Sequence, residues 1–379
     1  MLTSNAAGAG AQLPVPIGRW CDDYGVPTYY ARVRWGDDIA PSLAPELWRQ
    51  LAWADLVHVN ALWSPSSLLA LVAAALTHHP RGRAVPVVLS PRGALLPWAL
   101  EQRAPRKRWA LRLLTPLWRR VDAWHTTSQP EADALRALGI AGPQARVVTV
   151  GNGVDPALLH APFSPHDSDP APLPGLPDTL GRPLLIALGR VHPVKNLELA
   201  IAALCALRRR PGLSRASLII AGPENEAEPG APASYGQHLR RCAADAGVAA
   251  AVHFAGLVQG AEKARLLTLA DALWLPSNME SFGNVVVEAL ACGTPVVAAH
   301  ATPWRDLPVW DVGRHVGATA DAFADATLDL LRLRSGLGPG ALAARCRHLA
   351  HDRFSWDARA CELDRLYRAL ANQRVPQTC

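Results

Sequence analysis

Apolar, β-favouring runs alternate with helical patterns along this chain of 379 residues. In the second half, five such runs lie at 183–188, 217–222, 252–256, 272–277 and 295–299. The helical segments between them are long enough for crossover connections, which join parallel strands and place helices on both faces of a sheet. The pattern therefore predicts an α/β fold built on parallel sheets.

The first half repeats this alternation, and the length of the chain suggests two domains. Its apolar runs lie at 56–60, 85–90, 123–128 and 145–150, and Ser128 and Glu131 have the spacing of a capping box for the helix that follows the third run. Six prolines among residues 161–180 exclude a helix or an inner strand there, so this segment is predicted to be a linker. We therefore expect one domain over 1–160 and a second over 181–350. Residues 351–379 are expected to form a helix that packs back towards the first domain through an apolar stripe.

Composition excludes several classes of protein. No uncharged apolar run approaches the roughly 18 residues that span a bilayer, and the first residues lack the basic start and apolar stretch of a secretory signal. The seven cysteines lie far apart without a CxxC pair, which is typical of reduced thiols rather than of a disulfide framework or a zinc site. The sequence thus favours a cytoplasmic protein.

Positive charge is concentrated in one segment. Between Arg81 and Arg120 ten basic residues stand against one acid, so this stretch carries +9 while the whole chain carries +6. A predicted helix there places Trp109, Leu113 and Leu117 on one face with arginines beside them, which is typical of a contact with an anionic membrane surface. A solvated face packed on the first domain is the alternative. Nucleic acid is not predicted as a partner, because no recognition motif accompanies the charge.

Two glutamates in "PSNMESFGNVVVEALACGTP" (276–295) are the first residues that indicate a ligand-binding site. The preceding strand is expected to end near residue 276, and a helix is expected from Phe282 to just before Gly293. Glu280 would then lie at the carboxyl end of a parallel strand, where ligands of such sheets bind, next to helix-start amides that favour a phosphate. Glu288 lies further inside the same helix. Burial there is costly for an unpaired carboxylate, and a pair of ligand hydroxyls or an arginine would each be a suitable partner.

Cations for a phosphate come earlier in the chain. In "LLIALGRVHPVKN" the glycine Gly189 follows a strand and lets the backbone approach a ligand, while Arg190 and Lys195 bring two positive charges to the same strand end. By contrast, Asp167 and Asp169 lie among the prolines of the linker rather than at a strand end. No metal site is therefore predicted from that Asp-x-Asp.

Together these segments resemble a known family. "GRVHPVKN", "AGPEN", "FAGLV" and "ESFGNVVVEALACGTPVV" occur in the order and spacing of the retaining, nucleotide-sugar-dependent glycosyltransferases of GT-B type, family 4. The first half adds "ADLVHVNALW", "LSPRGALLPWAL", "TTSQPE" and "GNGVD". The resemblance implies two Rossmann-like domains facing a central cleft. A nicotinamide dehydrogenase is disfavoured because no GxGxxG follows an early strand, and a sugar-nucleotide epimerase would lack the glutamate pair.

The resemblance also implies roles for the site residues. Glu280, Arg190 and Lys195 would act on the donor sugar and its diphosphate, and Glu288 would hold the ribose hydroxyls. A nucleophilic role for Glu280 remains a lesser alternative. No metal or other cofactor is expected beside the nucleoside-diphosphate sugar. The remaining donor contacts would come from Gly189, Ser281, Phe282, Gly283, Asn284, Leu257 and Val258.

The first half would form the acceptor side, with Arg92 and Asn152 as its candidate residues. Many relatives carry a histidine where this chain has Ser90 to Gly93, and His58 and His125 are expected to be hydrogen-bonded core residues. The implied reaction moves a hexose to a glycan or lipid-linked acceptor in polysaccharide assembly. The alternative is an inactive, truncated protein that only binds the nucleotide sugar.

That alternative arises from the start of the sequence. The family opens with a central strand and a Gly-Gly loop, whereas this sequence starts with what resembles the second strand, and the "AGAGA" at 7–11 is a poor substitute for the loop. We expect a first domain without that strand, lower stability and weak activity. An upstream extension of the reading frame would show whether codons for a strand and a Gly-Gly loop precede it.

Overall fold

The computed structural model describes residues 1–8, 11–36, 38–77, 84–102, 104–159, 176–177, 180–224, 235–338 and 340–372. The chain forms two compact units, the first of Met1–Val150 with Glu362–Cys379 and the second of Gly151–Cys361. The division thus falls at residue 150 rather than at the predicted 160. The predicted linker lies almost wholly outside the described residues, and so do its Asp167 and Asp169.

The first unit contains two larger sheets and a short hairpin. One sheet has the order β6-β7-β8-β9 and is parallel throughout, while the other has the order β1-β5-β4 and is mixed. The four strands of the first sheet confirm the predicted runs. Strand β1 lies where the start of the sequence resembles the family's second strand, whereas β4 and β5 were not predicted. The strands are β1 (Leu2–Ser4), β2 (Ala6–Gly8), β3 (Ala11–Gln12), β4 (Trp20–Asp23), β5 (Val26–Ala31), β6 (Val57–Asn60), β7 (Val87–Ser90), β8 (Ala123–Thr126) and β9 (Arg146–Thr149).

Five helices accompany these strands in the described part of the first unit: α1 (Leu43–Leu51), α2 (Pro65–Leu76), α3 (Pro97–Glu101), α4 (Ala104–Trp118) and α5 (Gln129–Leu138). Only one of the two hydrogen bonds of the predicted α5 capping box is present. Ser128 Oγ accepts a hydrogen bond from Glu131 N at 3.4 Å, but the Glu131 carboxylate accepts from Thr127 N at 2.7 Å rather than from Ser128 N. Glu131 is fully buried, so besides its place in the cap of α5 its carboxylate connects the loops around it.

The second unit is a six-stranded parallel sheet of order β12-β11-β10-β13-β14-β15. Its first five strands confirm the predicted runs, and β15 was not predicted. The strands are β10 (Leu184–Leu188), β11 (Ser217–Ala221), β12 (Val252–Gly256), β13 (Ala272–Leu275), β14 (Val296–Ala299) and β15 (Gly313–Val316). The helices are α6 (Pro156–Leu159), α7 (Leu197–Arg208), α8 (Tyr235–Asp245), α9 (Gly260–Leu269), α10 (Asn284–Ala291), α11 (Ala320–Leu337), α12 (Ala341–Phe354) and α13 (Trp356–Asn372).

Both faces of this sheet are buried. Alternate residues of β10 enter two different cores: Ile186 packs with α9, α10 and α12, and Leu185 packs with α7, α8 and α11. Residues of a strand point to opposite faces in turn, so a strand buried on both sides must be apolar throughout. That is why β10, β11, β13 and β14 stood out as unbroken apolar runs.

The last helix belongs to both units, because α13 starts at Trp356 and the division falls after Cys361. In its second part Leu366 and Leu370 are buried with Val88 and Ala123 of the first unit. No helix in the described part of the chain combines the length and the apolar character that a bilayer crossing requires.

Candidate functional site

The strand order of the second unit locates a crevice before any side chain is considered. Strands β11 and β12 lie to one side of β10, and β14 and β15 lie to the other side of β13, so the direction of winding reverses between β10 and β13. In open parallel sheets, ligands bind beyond the carboxyl ends of the strands at such a reversal. The predicted site residues follow these two strands.

The loop after β10 depends on two glycines. Gly189 has φ +143°, and a Cβ on it would lie 3.3 Å from Lys195 Cε. A Cβ on Gly222, at the end of β11, would come within 1.8 Å of the Gly189 carbonyl oxygen. Only glycine fits at Gly222, and the close approach of the two strand ends lets Lys195 lie over the backbone of Gly189.

Lys195 and Glu280 form an ion pair across the crevice, with Nζ and Oε1 2.6 Å apart and side chains only 17% and 11% exposed. Ser277 Oγ donates a second hydrogen bond to the same carboxylate oxygen at 2.8 Å. The loops that carry the pair are joined by backbone as well, since Asn278 N donates to Val194 O at 2.9 Å. The structure therefore brings these two predicted catalytic residues together on a rigid support.

Helix α10 begins beside this pair. Gly283 precedes it with φ +85°, and a Cβ there would meet Trp304 Nε1 at 3.2 Å and Glu280 Cγ at 3.6 Å. Trp304 Nε1 donates to Phe282 O at 2.6 Å and thereby fixes the turn. No acidic residue lies in the first turn of α10 itself, so its first amides present a partial positive charge to an anion.

Glu288 lies further along α10 and pairs with Lys263 of α9, with Oε1 and Nζ 2.9 Å apart. The two side chains are 17% and 22% exposed, so both keep access to solvent. The sequence suggested an arginine as the alternative partner of Glu288, and the partner is instead a lysine that was not predicted. Lys263 lies on α9, which is separated from α10 by β13 in the chain. No pattern in the sequence around Glu288 therefore indicates this partner.

The predicted base-binding backbone lies beside the same edge. Leu257 and Val258 follow β12; the side chain of Leu257 is 60% exposed, whereas Val258 is buried in the core below α10. The Gly256 carbonyl accepts from Gly222 N at 2.7 Å, which places this loop next to the glycine turn. Arg190 is exposed directly after Gly189.

Asn152 occupies a different place from the one predicted. It was assigned to the acceptor side, but it belongs to the second unit, where its Nδ2 donates to Asn284 Oδ1 at 2.8 Å. Gly151 and Gly153 on either side pack closely against Phe282 and Trp356. The chain has thus already left the sheet of the first unit at this point, so Asn152 contacts the first residue of α10.

Arg92 does lie in the first unit, in the loop after β7. It has φ +54°, and its guanidinium donates to Asn60 Oδ1 at 3.1 Å from Nε and 2.9 Å from the terminal nitrogen. The adjacent Gly93 N donates to the buried carboxylate of Glu131. Glu131, seen in the sequence only as a capping residue, therefore also positions the loop of Arg92.

A chain of hydrogen bonds crosses the sheet below Arg92. His58 contacts Tyr367 Oη through Nδ1 at 2.5 Å and Ser90 Oγ through Nε2 at 2.6 Å, and Ser90 Oγ lies 2.8 Å from His125 Nδ1. Burial, aided by His125 and Arg92, lowers the pKa of His58 to about 4. Both histidines are therefore hydrogen-bonded within the unit, as the sequence predicted.

Family models cover most of the chain. A model described as "Glycosyl transferase 4-like domain" matches residues 2–153, and one described as "Glycosyl transferases group 1" matches residues 182–332. The D-inositol 3-phosphate glycosyltransferase of Actinosynnema mirum is 37% identical over 243 residues, which are 60% of this chain and 52% of that protein. The protein of the same name from Acidothermus cellulolyticus is 33% identical over 270 residues, 67% of this chain and 54% of that one. The matched part of the chain thus spans about half the length of these curated relatives.

Solved structures resemble the fold at low identity. Sucrose-phosphate synthase from Thermosynechococcus elongatus is 18% identical with a TM-score of 0.70, covering 98% of this chain and 89% of that one. HepE of Anabaena in complex with UDP and glucose is 19% identical with a TM-score of 0.67, covering 91% and 87%. These likenesses show the fold, which is GT-B. By the two family models that match its two halves, the chain belongs to the group 1, GT4-like glycosyltransferases.

Proposed function

We propose that this protein transfers a hexose from a nucleoside-diphosphate sugar to a hydroxyl acceptor with retention of anomeric configuration. The observation that carries the proposal is the pairing of Lys195 with Glu280 at the sheet reversal, directly beside the amino end of α10. Cation, carboxylate and free amides on one sheet edge suit a sugar joined to a diphosphate. The relatives' name describes a glycosyltransferase, and the UDP and glucose bound to HepE support such a donor.

Donor binding would redistribute the charges. Lys195 now neutralises Glu280; a diphosphate at the start of α10 would compete for the ammonium group and leave the carboxylate free to accept hydrogen bonds from sugar hydroxyls. Arg190 would add a second cation. Glu288, held by Lys263, would accept from the ribose hydroxyl pair, and the backbone at Leu257 and Val258 would receive the base. Two cations and helix amides would do this without a metal ion.

In the proposed step, the acceptor oxygen bonds to the anomeric carbon as the bond from that carbon to the distal phosphate oxygen breaks. The bonding electrons go to the departing diphosphate, and the acceptor hydroxyl proton passes to a phosphate oxygen on the same face. Lys195 and the α10 amides would stabilise the negative charge that develops, which is usually the largest catalytic contribution. Glu280 as a covalent nucleophile is the lesser alternative.

The acceptor is proposed to be a glycan or a lipid-linked glycan of polysaccharide assembly, presented at the cytoplasmic surface of an anionic membrane. Helix α4 supports the membrane contact: Trp109 and Leu113 are 75% and 77% exposed, with Arg108 and Arg112 beside them. Leu117, predicted on the same face, instead packs against the core. The relatives' name makes D-inositol 3-phosphate the second acceptor to test.

A panel of radiolabelled nucleoside-diphosphate sugars, incubated with the protein in EDTA with and without acceptor, tests the proposal. Slow donor hydrolysis alone and faster transfer with an acceptor are expected. Saturable binding without any turnover would favour the non-catalytic alternative, and turnover that requires an added divalent cation would contradict the metal-independent mechanism.

A further inference from the structure

The segment GNGVD belongs to the second unit, and its two glycines lie against aromatic rings on either side of Asn152. A Cβ on Gly151 would lie 2.6 Å from Phe282 Cε2, and a Cβ on Gly153 would lie 2.4 Å from Trp356 Cδ2. Only glycine lets the backbone pass so close to both rings. The two glycines therefore fix the position of the residue between them.

The backbone after Asn152 is fixed as well. Val154 N donates to Phe354 O at 2.8 Å, and Val154 forms an isolated parallel bridge with Ser355. The side chain of Val154 is 1% exposed and belongs to the core below α10. The two glycines and Val154 thus hold this segment in place without the side chain of Asn152. An anchoring role therefore does not explain the amide of Asn152.

The side chain of Asn152 orients that of Asn284, the first residue of α10. Asn152 Nδ2 donates to Asn284 Oδ1 at 2.8 Å. A side-chain amide carries its acceptor oxygen and its two N–H donors on different arms of one planar group. When the oxygen of Asn284 faces Asn152, its Nδ2 therefore faces away from Asn152. Asn284 is exposed, and among the residues that the structure describes its Nδ2 has no hydrogen-bond partner.

The amino end of α10 carries other donors beside Asn284. Gly283 precedes the helix, and no side chain in the described part of the chain caps its first amides. The nearest carboxylate on the preceding turn is that of Glu280, which is paired with Lys195. The first amides of α10 and the Nδ2 group of Asn284 are therefore N–H donors at one helix end. Such a set of donors favours an anion.

We propose that Asn152 is a positioning residue for the donor. It turns Nδ2 of Asn284 towards the distal phosphate of the nucleoside-diphosphate sugar, and Asn284 donates a hydrogen bond to an oxygen of that phosphate. The inference rests on the proposed function, because it takes the diphosphate to lie at the amino end of α10. It gives Asn152 a role on the donor side in place of the acceptor-side role that the sequence suggested. The two glycines then serve the close packing, and the asparagine between them orients a hydrogen-bond donor.

A double-mutant cycle on the two asparagines tests this orientation. Isothermal titration in EDTA measures the affinity of Asn284→Ala, Asn152→Ala and the double variant for the tightest-binding of UDP, GDP and ADP. Asn284→Ala should weaken binding about tenfold, because a hydrogen bond to a charged oxygen is lost. Asn152→Ala should weaken binding about threefold to fivefold, because the amide of Asn284 is then no longer held in one orientation. The double variant should bind as Asn284→Ala does, since Asn152 acts only through Asn284.

Two further variants separate this role from a structural one. Asn284→Asp keeps an oxygen that accepts from Asn152 Nδ2 and adds a negative charge to the first turn of α10, so the unfolding temperature should stay the same or rise. Its affinity should fall further than that of Asn284→Ala, because an acceptor would then face the phosphate. Val154→Ala loosens the same segment from the core, so it should lower the unfolding temperature but change the affinity less than about twofold.

Unchanged affinity in Asn284→Ala or Asn284→Asp would overturn the proposal, and so would a double variant in which the losses of the two single variants multiply. Weakening by Val154→Ala as large as that by Asn152→Ala would also overturn it, because loosening of the segment would then be sufficient. If the unaltered chain binds no nucleotide, the proposed function fails and this inference fails with it. If the unaltered chain and all variants bind a nucleotide equally well, only the role of Asn152 fails.

Discussion

Each carboxylate of the candidate site is paired with a lysine from a different element. Lys195 precedes α7 and reaches Glu280 after β13, while Lys263 of α9 reaches Glu288 of α10. Pairs that keep some exposure contribute modestly to stability, because solvent screens them. Their main effect is positional: each carboxylate is oriented before a ligand arrives.

The two lysines provide a matched comparison. Lys195→Ala should lower kcat about 10²–10³-fold, because in the proposed step it removes a charge that would stabilise the leaving diphosphate. Lys263→Ala should mainly raise the KM for the donor, because it only releases Glu288 from its orientation. Steady-state kinetics of both variants with one nucleotide sugar would check this, and a larger loss of kcat in Lys263→Ala would contradict the assigned roles.

His58 predicts a dependence of stability on pH. Its pKa is about 4 in the folded chain and near 6.5 when unfolded, so below pH 6.5 the unfolded state binds more protons. The stability of the first unit should be constant above pH 6.5 and fall as pH drops towards 4, by up to about 3 kcal/mol at 1.36 kcal/mol per pKa unit. Hydrogen exchange of β6 and β7 against pH would measure this. His58→Gln, which keeps hydrogen-bonding groups, should reduce the slope, and His125, whose pKa is also lowered by burial, should retain part of it. An unchanged slope would exclude His58 as a cause.

At the scale of elements, the amino end of α10 depends on one glycine. Gly283→Ala should destabilise the second unit by about 1–2 kcal/mol through its positive φ and should also raise the donor KM, since the new Cβ meets Trp304 Nε1 at 3.2 Å. Gly247→Ala is the control, because Gly247 has φ +68° but no atom within 4 Å of the added carbon. Thermal unfolding and kinetics of both variants separate strain from site geometry. If Gly247→Ala raised the donor KM as much as Gly283→Ala, the geometry of the turn before α10 would not determine donor binding.

Helix α4 is the element predicted to contact an anionic membrane. Neutralising Arg106, Lys107, Arg108 and Arg112 should weaken binding to anionic vesicles more than about a hundredfold, at about 1 kcal/mol per charge near the surface. The control neutralises four exposed arginines of the second unit, Arg209, Arg215, Arg241 and Arg305. Co-sedimentation with phosphatidylserine vesicles would measure both. Binding that persists in the α4 variant would reject the membrane contact.

Strands differ in how far the sequence predicts them. Those of the second sheet were predictable because burial on both faces requires unbroken apolar runs, as in Leu184–Leu188. β4 and β5 carry mixed patterns: Trp20–Asp23 ends in two aspartates on an outer edge, and Val26–Ala31 contains a proline and two tyrosines. Such strands are determined by their neighbours, which a local pattern does not contain.

At the scale of the whole molecule, the same limit explains which positions of the candidate residues could be predicted from the sequence. Gly189, Lys195 and Glu280 follow strand ends, and parallel sheets collect strand ends on one edge. Lys263 lies on a helix flank, where its contact with Glu288 depends on helix packing. Asn152 was misplaced because the chain crosses between units directly after β9, and no residue type marks that crossing.

The central claim is that the edge of the second sheet binds a nucleoside diphosphate without a metal ion. Isothermal titration with UDP, GDP and ADP in EDTA tests it most directly, comparing the unaltered chain with Lys195→Ala and Glu288→Gln. We predict saturable binding of at least one nucleotide in EDTA, weakened about tenfold or more by either substitution. Binding that needs a divalent cation, or variants that bind as tightly as the unaltered chain, would contradict the account.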